Sequence, residues 1–268
     1  MDGKTKIAVA GCSGKMGRAV LKVAFNTPDI EVVGAFECVG HQDIGKDVGA
    51  LVGVGEKKIK VTDRCLSSIQ TADCLIDFTS PSSTAQNVQD AVSLRIAMVI
   101  GTTGLQEHQM QEIISASSKI PIVLSPNMSV GVNLLFKITG DVAKKLLKYD
   151  VEIIEVHHNM KKDAPSGTAL RIAENIAKAR QQKLEKDVIY GRKGAMGERP
   201  EMQIGIHSVR AGDVIGEHTV IFAGPGERLE FIHKAHSRDT FAAGAIYAAK
   251  FIITQKPGIY EMSDVLGT

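Results

Sequence analysis

Five short apolar runs alternate with helix-patterned stretches through the first half of this chain, and that alternation limits the fold more than any other feature. Thr5–Ala10, Ile30–Phe36, Cys74–Phe78, Ala97–Ile100 and Ile120–Leu124 read as strands. Met16–Phe25, Ser83–Ser93 and Gln106–Ser117 carry helical periodicity. Strands that are apolar almost throughout bury both faces, and connections through helices make neighbouring strands parallel. The expectation is an α/β domain with a doubly wound parallel sheet covered by helices on both sides.

The second half is organised differently. Val151–His157, Met202–Val209, His218–Ala223 and Arg228–Ala235 are strand-like. Arg210–Asp213 and Gly224–Glu227 supply turn residues between the later ones. Bunched strands with one helix near 168–180 predict an α+β domain on a mostly antiparallel sheet. The polar, glycine-containing stretch Gly191–Glu201 is expected to be a mobile loop. Thr240–Thr254 places Phe241, Ala245, Ala248, Ala249 and Ile252 on one helical face and ends at Lys256-Pro257-Gly258, a helix stop. A length of 268 residues is comfortable for two domains, placed at 1–127 and 128–239.

Charge and composition remove several function classes. The formal net charge of +2 and the absence of Trp give no electrostatic or stacking basis for nucleic-acid binding. No apolar run reaches membrane-spanning length, and the N-terminal apolar run is too short for a signal-peptide core. The four cysteines show no C-x-x-C spacing, so reduced thiols in a cytoplasmic protein are expected rather than disulfides.

A glycine loop, Gly11-Cys12-Ser13-Gly14-Lys15-Met16-Gly17, follows the first strand and opens the first helix. Strand, loop and helix in that order match a dinucleotide fingerprint, in which helix-start amides receive a pyrophosphate. Glu37, at the end of the second strand and 20 positions after Gly17, can accept hydrogen bonds from ribose hydroxyls. No arginine or lysine occurs in the following Cys38-Val39-Gly40-His41, which favours NADH over NADPH, although Lys15 and Arg18 could reach a 2′-phosphate. Gly101-Thr102-Thr103-Gly104 and Ser125-Pro126-Asn127-Met128 also leave strand ends and could border the ligand crevice. Either is equally well a simple turn.

The densest chemistry lies between Glu155 and Thr168. His157 and His158 point to opposite faces of a strand unless the strand ends between them. Histidine exchanges protons near neutral pH. Lys161 can anchor an anionic ligand and donate a proton to it. Ser166 is a natural N-cap for the helix that follows, and Gly167 and Thr168 would expose amides to a carboxylate. Neither H-E-x-x-H nor another zinc spacing appears, so no metal is expected.

The element His157-His158-x-x-Lys161-x-Asp163-Ala164-Pro165-Ser166-Gly167-Thr168 resembles the signature of the dihydrodipicolinate reductase family. Asp77-Phe78-Thr79, Asn127-x-Ser129-Val130-Gly131-Val132-Asn133 and Val209-Arg210-Ala211-Gly212-Asp213 fall in the family's order, and the likeness runs from Ile7 to about Leu266. It implies a Rossmann-type cofactor domain on which 240–268 packs back, and a homotetramer built through the second domain. It implies hydride transfer from NADH or NADPH to a cyclic dicarboxylate with loss of water. His157 then matches a proton donor/acceptor and Lys161 the proton-donating lysine. His158, Gly167 and Thr168 match substrate-binding positions, with Ser166 beside them. Gly11 to Met16, Glu37, Gly101 to Thr103 and Ser125 to Met128 match dinucleotide contacts. Cys38 and Ser80 stand where many members carry basic residues, which bears on NADPH use. Another two-domain dehydrogenase of amino-acid metabolism and a non-catalytic dinucleotide sensor are the competing readings. A semialdehyde enzyme would need a cysteine nucleophile after the first domain, and all four cysteines lie before residue 75.

Overall fold

The computed structural model describes residues 3–63 and 65–268. They form two compact units, one running up to Val130 and resuming from Arg238 to Thr268, the other Gly131–Ser237. In chain order the elements are β1 (Thr5–Ala10), α1 (Lys15–Phe25), β2 (Ile30–Phe36), α2 (Val48–Leu51), α3 (Cys65–Ile69), β3 (Cys74–Asp77) and α4 (Pro81–Leu94). Then come β4 (Ala97–Ile100), α5 (Glu107–Ser117), β5 (Pro121–Leu124), α6 (Val130–Lys145), β6 (Asp150–His157), α7 (Gly167–Ala179) and α8 (Leu184–Asp187). The remainder is β7 (Val188–Tyr190), β8 (Ile204–Arg210), β9 (Gly216–Gly224), β10 (Glu227–Ala235), α9 (Asp239–Ile252), β11 (Gly258–Tyr260) and α10 (Met262–Leu266).

The first unit is built on a six-stranded sheet of order β11-β5-β4-β3-β1-β2, parallel throughout. Alternate residues of each strand serve opposite faces. Ile7, Val9, Cys74, Ile76 and Val99 pack with α1 and α9, whereas Ala8, Ala10, Leu75, Met98 and Ile100 pack with α4 and α5. Each such branched side chain taken out of water contributes about 1.5–3 kcal/mol, which is why the strands are apolar without interruption. Ser80 caps α4 and Pro81 occupies its first turn, so the helix begins two residues earlier than its apolar pattern suggests.

The second unit carries a five-stranded sheet of order β10-β9-β6-β8-β7. The expected mostly antiparallel arrangement is refined to an even mixture. The β10–β9 and β9–β6 pairs are antiparallel, and the β6–β8 and β8–β7 pairs are parallel. The parallel half arises because the chain crosses over through α7 and α8 before returning to the sheet. Val151, Ile153, Ile204, Ile206, Val220 and Phe222 face Ile172, Ala173 and Ile176 of α7. The Gly191–Glu201 stretch has no regular structure, and Arg192 and Arg199 on it both pair with Glu152. Among the described residues no helix is long and apolar enough to cross a membrane, and the four cysteines are free thiols.

Candidate active site

Strand register in the first unit sets a row of loops level with one another. Ala10 pairs with Phe36 on one side and Asp77 on the other, Asp77 with Ile100, and Ile100 with Leu124. The residues that follow, Gly11, Glu37, Phe78, Gly101 and Ser125, therefore rim the carboxyl edge of the sheet, where ligands of doubly wound folds bind. Strand order reverses between β1 and β3, and the glycine loop leaves β1 at that point.

The loop geometry fits a dinucleotide phosphate. Gly11 has φ +64°, and a Cβ on Gly17 would lie 2.1 Å from the Gly11 carbonyl oxygen, so only glycine lets α1 start this close to β1. No side chain caps α1, which leaves its first-turn amides for an outside acceptor at the positive end of the helix. The Glu37 carboxylate accepts from the Ser13 amide at 2.8 Å and the Cys38 amide at 3.3 Å. Arg18 is committed elsewhere, donating to Ser13 O at 2.8 Å, Leu51 O at 2.9 Å and Asp43 Oδ2 at 3.1 Å. Lys46 reaches the same Asp43 at 2.6 Å.

The sequence-predicted cofactor residues separate by what their side chains do. Gly14, Lys15, Thr103 and Pro126 are exposed. Cys12 and Met128 are core side chains, and Met16 packs against that core, so their backbone is what they can offer. Thr102 turns its hydroxyl into a buried network with Asp77, Thr79 and Thr84. Ser125 Oγ donates to the Asn127 carbonyl at 2.9 Å and holds that turn.

In the second unit the alternation along β6 builds the cluster. Val151, Ile153, Glu155 and His157 share its buried face, so the core face changes from apolar to polar toward the carboxyl end of the strand. Glu155 stands level with Ser208 on β8 and His218 on β9, and His157 with Arg210. Glu155 is 0% exposed. Its Oε2 receives His157 Nδ1 at 2.5 Å and Arg210 Nη1 at 2.8 Å, while Oε1 receives Arg210 Nη2 at 2.8 Å and the Ser166 amide at 3.1 Å. His218 lies edge-on to His157 with ring centroids 5.3 Å apart, and its Nε2 is 3.1 Å from Ser166 Oγ. Ser166 Oγ also accepts from the Ala169 amide at 3.1 Å, which caps α7.

β6 ends at His157, so the vicinal histidines part company there. His158 is half-buried with Nδ1 lacking a hydrogen-bond partner. Lys161 lies in the loop beyond, with its Nζ 2.8 Å and 2.9 Å from the Asp163 carboxylate oxygens. Gly167 is exposed and Thr168 half-buried at the start of α7. Arg210, His218 and the role of Glu155 escaped sequence reasoning. The period-two pattern of β6 already places Glu155 on the face of His157 and is the signal that could have found it.

Burial alone would raise the Glu155 carboxyl; hydrogen bonds from Arg210, His157 and Ser208 outweigh it and bring it down to about 2. Burial lowers His157 below the ordinary histidine range, against the pull of Glu155, with Lys161 and Arg210 adding to the lowering. Burial, with His157 beside it, lowers His218 to about 3. At neutral pH the cluster thus holds one carboxylate, two neutral imidazoles and a guanidinium.

A parallel sheet whose glycine loop opens a bare helix start, in a chain that also carries a carboxylate-backed imidazole and a lysine, defines a nicotinamide-dependent oxidoreductase. Residues 5–128 match the model of the dihydrodipicolinate reductase N-terminus and residues 131–266 that of its C-terminus. The chain belongs to the dihydrodipicolinate reductase family. It is 46% identical over 263 residues to the 4-hydroxy-tetrahydrodipicolinate reductase of Syntrophobacter fumaroxidans, covering 98% of both chains. It is 48% identical over 262 residues to that of Nitrosomonas europaea, covering 97% of both. Among solved structures, a dipicolinate-bound dihydrodipicolinate reductase from Paenisporosarcina sp. TG-14 superposes with a TM-score of 0.75 at 26% identity, over 96% of this chain and 97% of that one.

Proposed function

We propose that this chain reduces 4-hydroxy-tetrahydrodipicolinate, with loss of water, to tetrahydrodipicolinate in the diaminopimelate route of lysine biosynthesis. The observation that carries the reading is the neutral His157 ring, its Nδ1 spent on Glu155, beside Lys161 at the end of β6. Loss of water across the bond next to the C=N group removes a proton from the carbon beside the imine, and Nε2 of His157 can accept it. A bound reduced nicotinamide supplies the hydride. Conjugate addition leaves the same carbon carbanion-like, and the Lys161 ammonium, steadied by Asp163, returns a proton to it. A substrate carboxylate is held by the amides of Gly167 and Thr168 at the start of α7, with His158 as a further donor.

Gly11 to Met16 would hold the dinucleotide, with Glu37 accepting from its ribose hydroxyls and Gly101 to Thr103 and Ser125 to Met128 lining the rim. NADH is the preferred form. Arg18 is already paired with Asp43, and no arginine or lysine follows Glu37 in Cys38-Val39-Gly40-His41 to offset a 2′-phosphate. The protein is cytoplasmic and assembles as a homotetramer. Its second sheet supports such assembly, because the face turned away from α7 presents Ile154, Val156, Val209, Ile221 and Ile232, of which Ile232 is 54% exposed. The deciding assay follows NADH and NADPH absorbance with 4-hydroxy-tetrahydrodipicolinate generated in place. Substrate-dependent oxidation, faster with NADH, is the expected result. None with either cofactor overturns the reading.

A further inference from the structure

We propose that Glu155, clamped by Arg210, is the positioning residue of this site, fixing the tautomer of His157 and, through Ser166, the start of α7. This deepens the reading of His157 as the group that exchanges protons with the substrate, and rests on it. Four N–H donors converge on the two carboxylate oxygens, His157 Nδ1, both Arg210 terminal nitrogens and the Ser166 amide, and the Ser208 hydroxyl bonds the same carboxylate. A carboxylate is an acceptor only, so the neutral ring must carry its hydrogen on Nδ1 and leave a lone pair on Nε2. Arg210 in turn cannot drift, since its Nη1 also donates to Val209 O at 2.7 Å and its Nη2 to Asp163 O at 2.6 Å. Asp163 is the partner of Lys161, so the clamp and the proton-donating lysine share one loop.

The same carboxylate ties the imidazole to the anion-binding helix start. Ser166 gives its amide to Glu155, accepts from Ala169, and meets His218 through its hydroxyl. Shifting the carboxylate would move the ring and the cap together. The charged and titratable groups around His157 are Glu155 on its own strand, Arg210 on β8, His218 on β9 and Lys161 in the following loop. Glu155 is the anion among these, and it favours the imidazolium.

A glutamine at 155 tests the assignment because it brings a donor into a ring of donors. Facing Arg210 Nη2 and Ser166 N, the new amide group would meet two hydrogens with no relief. Facing His157 and Arg210 Nη1, it meets one hydrogen that stays and one ring that can become an acceptor, so this is the less costly placement and the ring must then move its proton to Nε2. The expected result for Glu155→Gln is therefore an Nε2–H ring by nitrogen NMR of histidine-labelled protein, against Nδ1–H in the unaltered chain. Turnover should fall roughly 10²–10⁴-fold with little change in the KM for NADH. Any residual activity should have its acid limb moved to lower pH, as the imidazolium loses its counter-charge. The double variant Glu155→Gln with Arg210→Met leaves no buried charge unpaired and keeps the test open if the single variant folds poorly. It should lose turnover as the single variant does. An Nδ1–H ring surviving in the variants, or turnover and pH profile unchanged with only a lower Tm, overturns the proposal. The NMR comparison needs no substrate, so a tautomer that switches in a chain inactive on this imine supports the positioning role and overturns only the substrate reading.

Discussion

Gly216 faces His157 so closely that a Cβ there would lie 3.1 Å from Nε2. The lone-pair side of the ring is thus kept clear by the absence of a side chain at one position of β9. Gly216→Ala should crowd the nitrogen proposed to exchange the proton while leaving the first unit untouched. The expectation is a fall in kcat of about 10-fold or more, with KM for NADH unchanged and a stability loss of about 1–3 kcal/mol from overpacking. Steady-state kinetics with both substrates varied, beside urea unfolding, would show it; equal losses on both KM values would point to general distortion.

Gly17→Ala acts on the other unit. Its Cβ would meet Gly11 O at 2.1 Å and Cys12 Cα at 2.7 Å, both backbone atoms that cannot swing aside. The start of α1 must retreat from the loop, so NADH binding should weaken by at least about 10-fold, read by fluorescence titration. The histidine resonances of the second unit should stay where they are.

Acid stability follows from the buried imidazole. The folded His218 binds its proton at about 3, against an ordinary value of 6.5. Between those pH values the unfolded chain holds more protons, so stability is fully present above 6.5 and is lost as pH falls toward 3. Glu155, lowered from 4.5 to about 2, adds its own loss only below 4.5. His218→Gln should therefore flatten the stability curve between pH 4.5 and 6.5, by up to about 1.4 kcal/mol per pH unit. Denaturant unfolding across that window measures it, and a slope equal to that of the unaltered protein would contradict the buried neutral ring.

Cofactor choice can be tested at Asp43, which holds both Arg18 and Lys46. Asp43→Asn removes the anion that occupies them and frees a guanidinium close to Ser13 and the loop. The ratio of kcat/KM for NADPH to that for NADH should rise roughly 10-fold or more. A ratio that does not move would mean that Arg18 is bound by its two carbonyl acceptors alone.

Much of the first unit was legible because each strand announces itself by composition and each loop by glycine. β1, β2 and β4 fall on the apolar runs without adjustment. α6 passed unnoticed, since Gly131, Asn133, Thr139 and Gly140 break its apolar rhythm. Its buried face is reduced to Val132, Leu135, Thr139 and Ala143. β11 is three residues long and exists through its pairing with β5, which no local pattern encodes. The direction of β8 against β6 was hidden for a similar reason, because strand composition says nothing of the crossover that precedes it. In the active cluster, the histidines, Lys161 and Ser166 declared themselves by type and spacing. Arg210 lies 55 residues from its carboxylate, and only the register of a finished sheet brings the two together.

That separation has a consequence for how the chain comes alive. The imidazole acquires its working protonation pattern only when β6 has zipped to β8 on one side and β9 on the other, both through distant segments. Contacts of such long sequence separation form late and together. A chain that has formed its helices and glycine loop without this sheet lacks the carboxylate clamp on His157, which would titrate like any free histidine. On the proposed role of His157, the onset of activity and closure of the second sheet are then a single event.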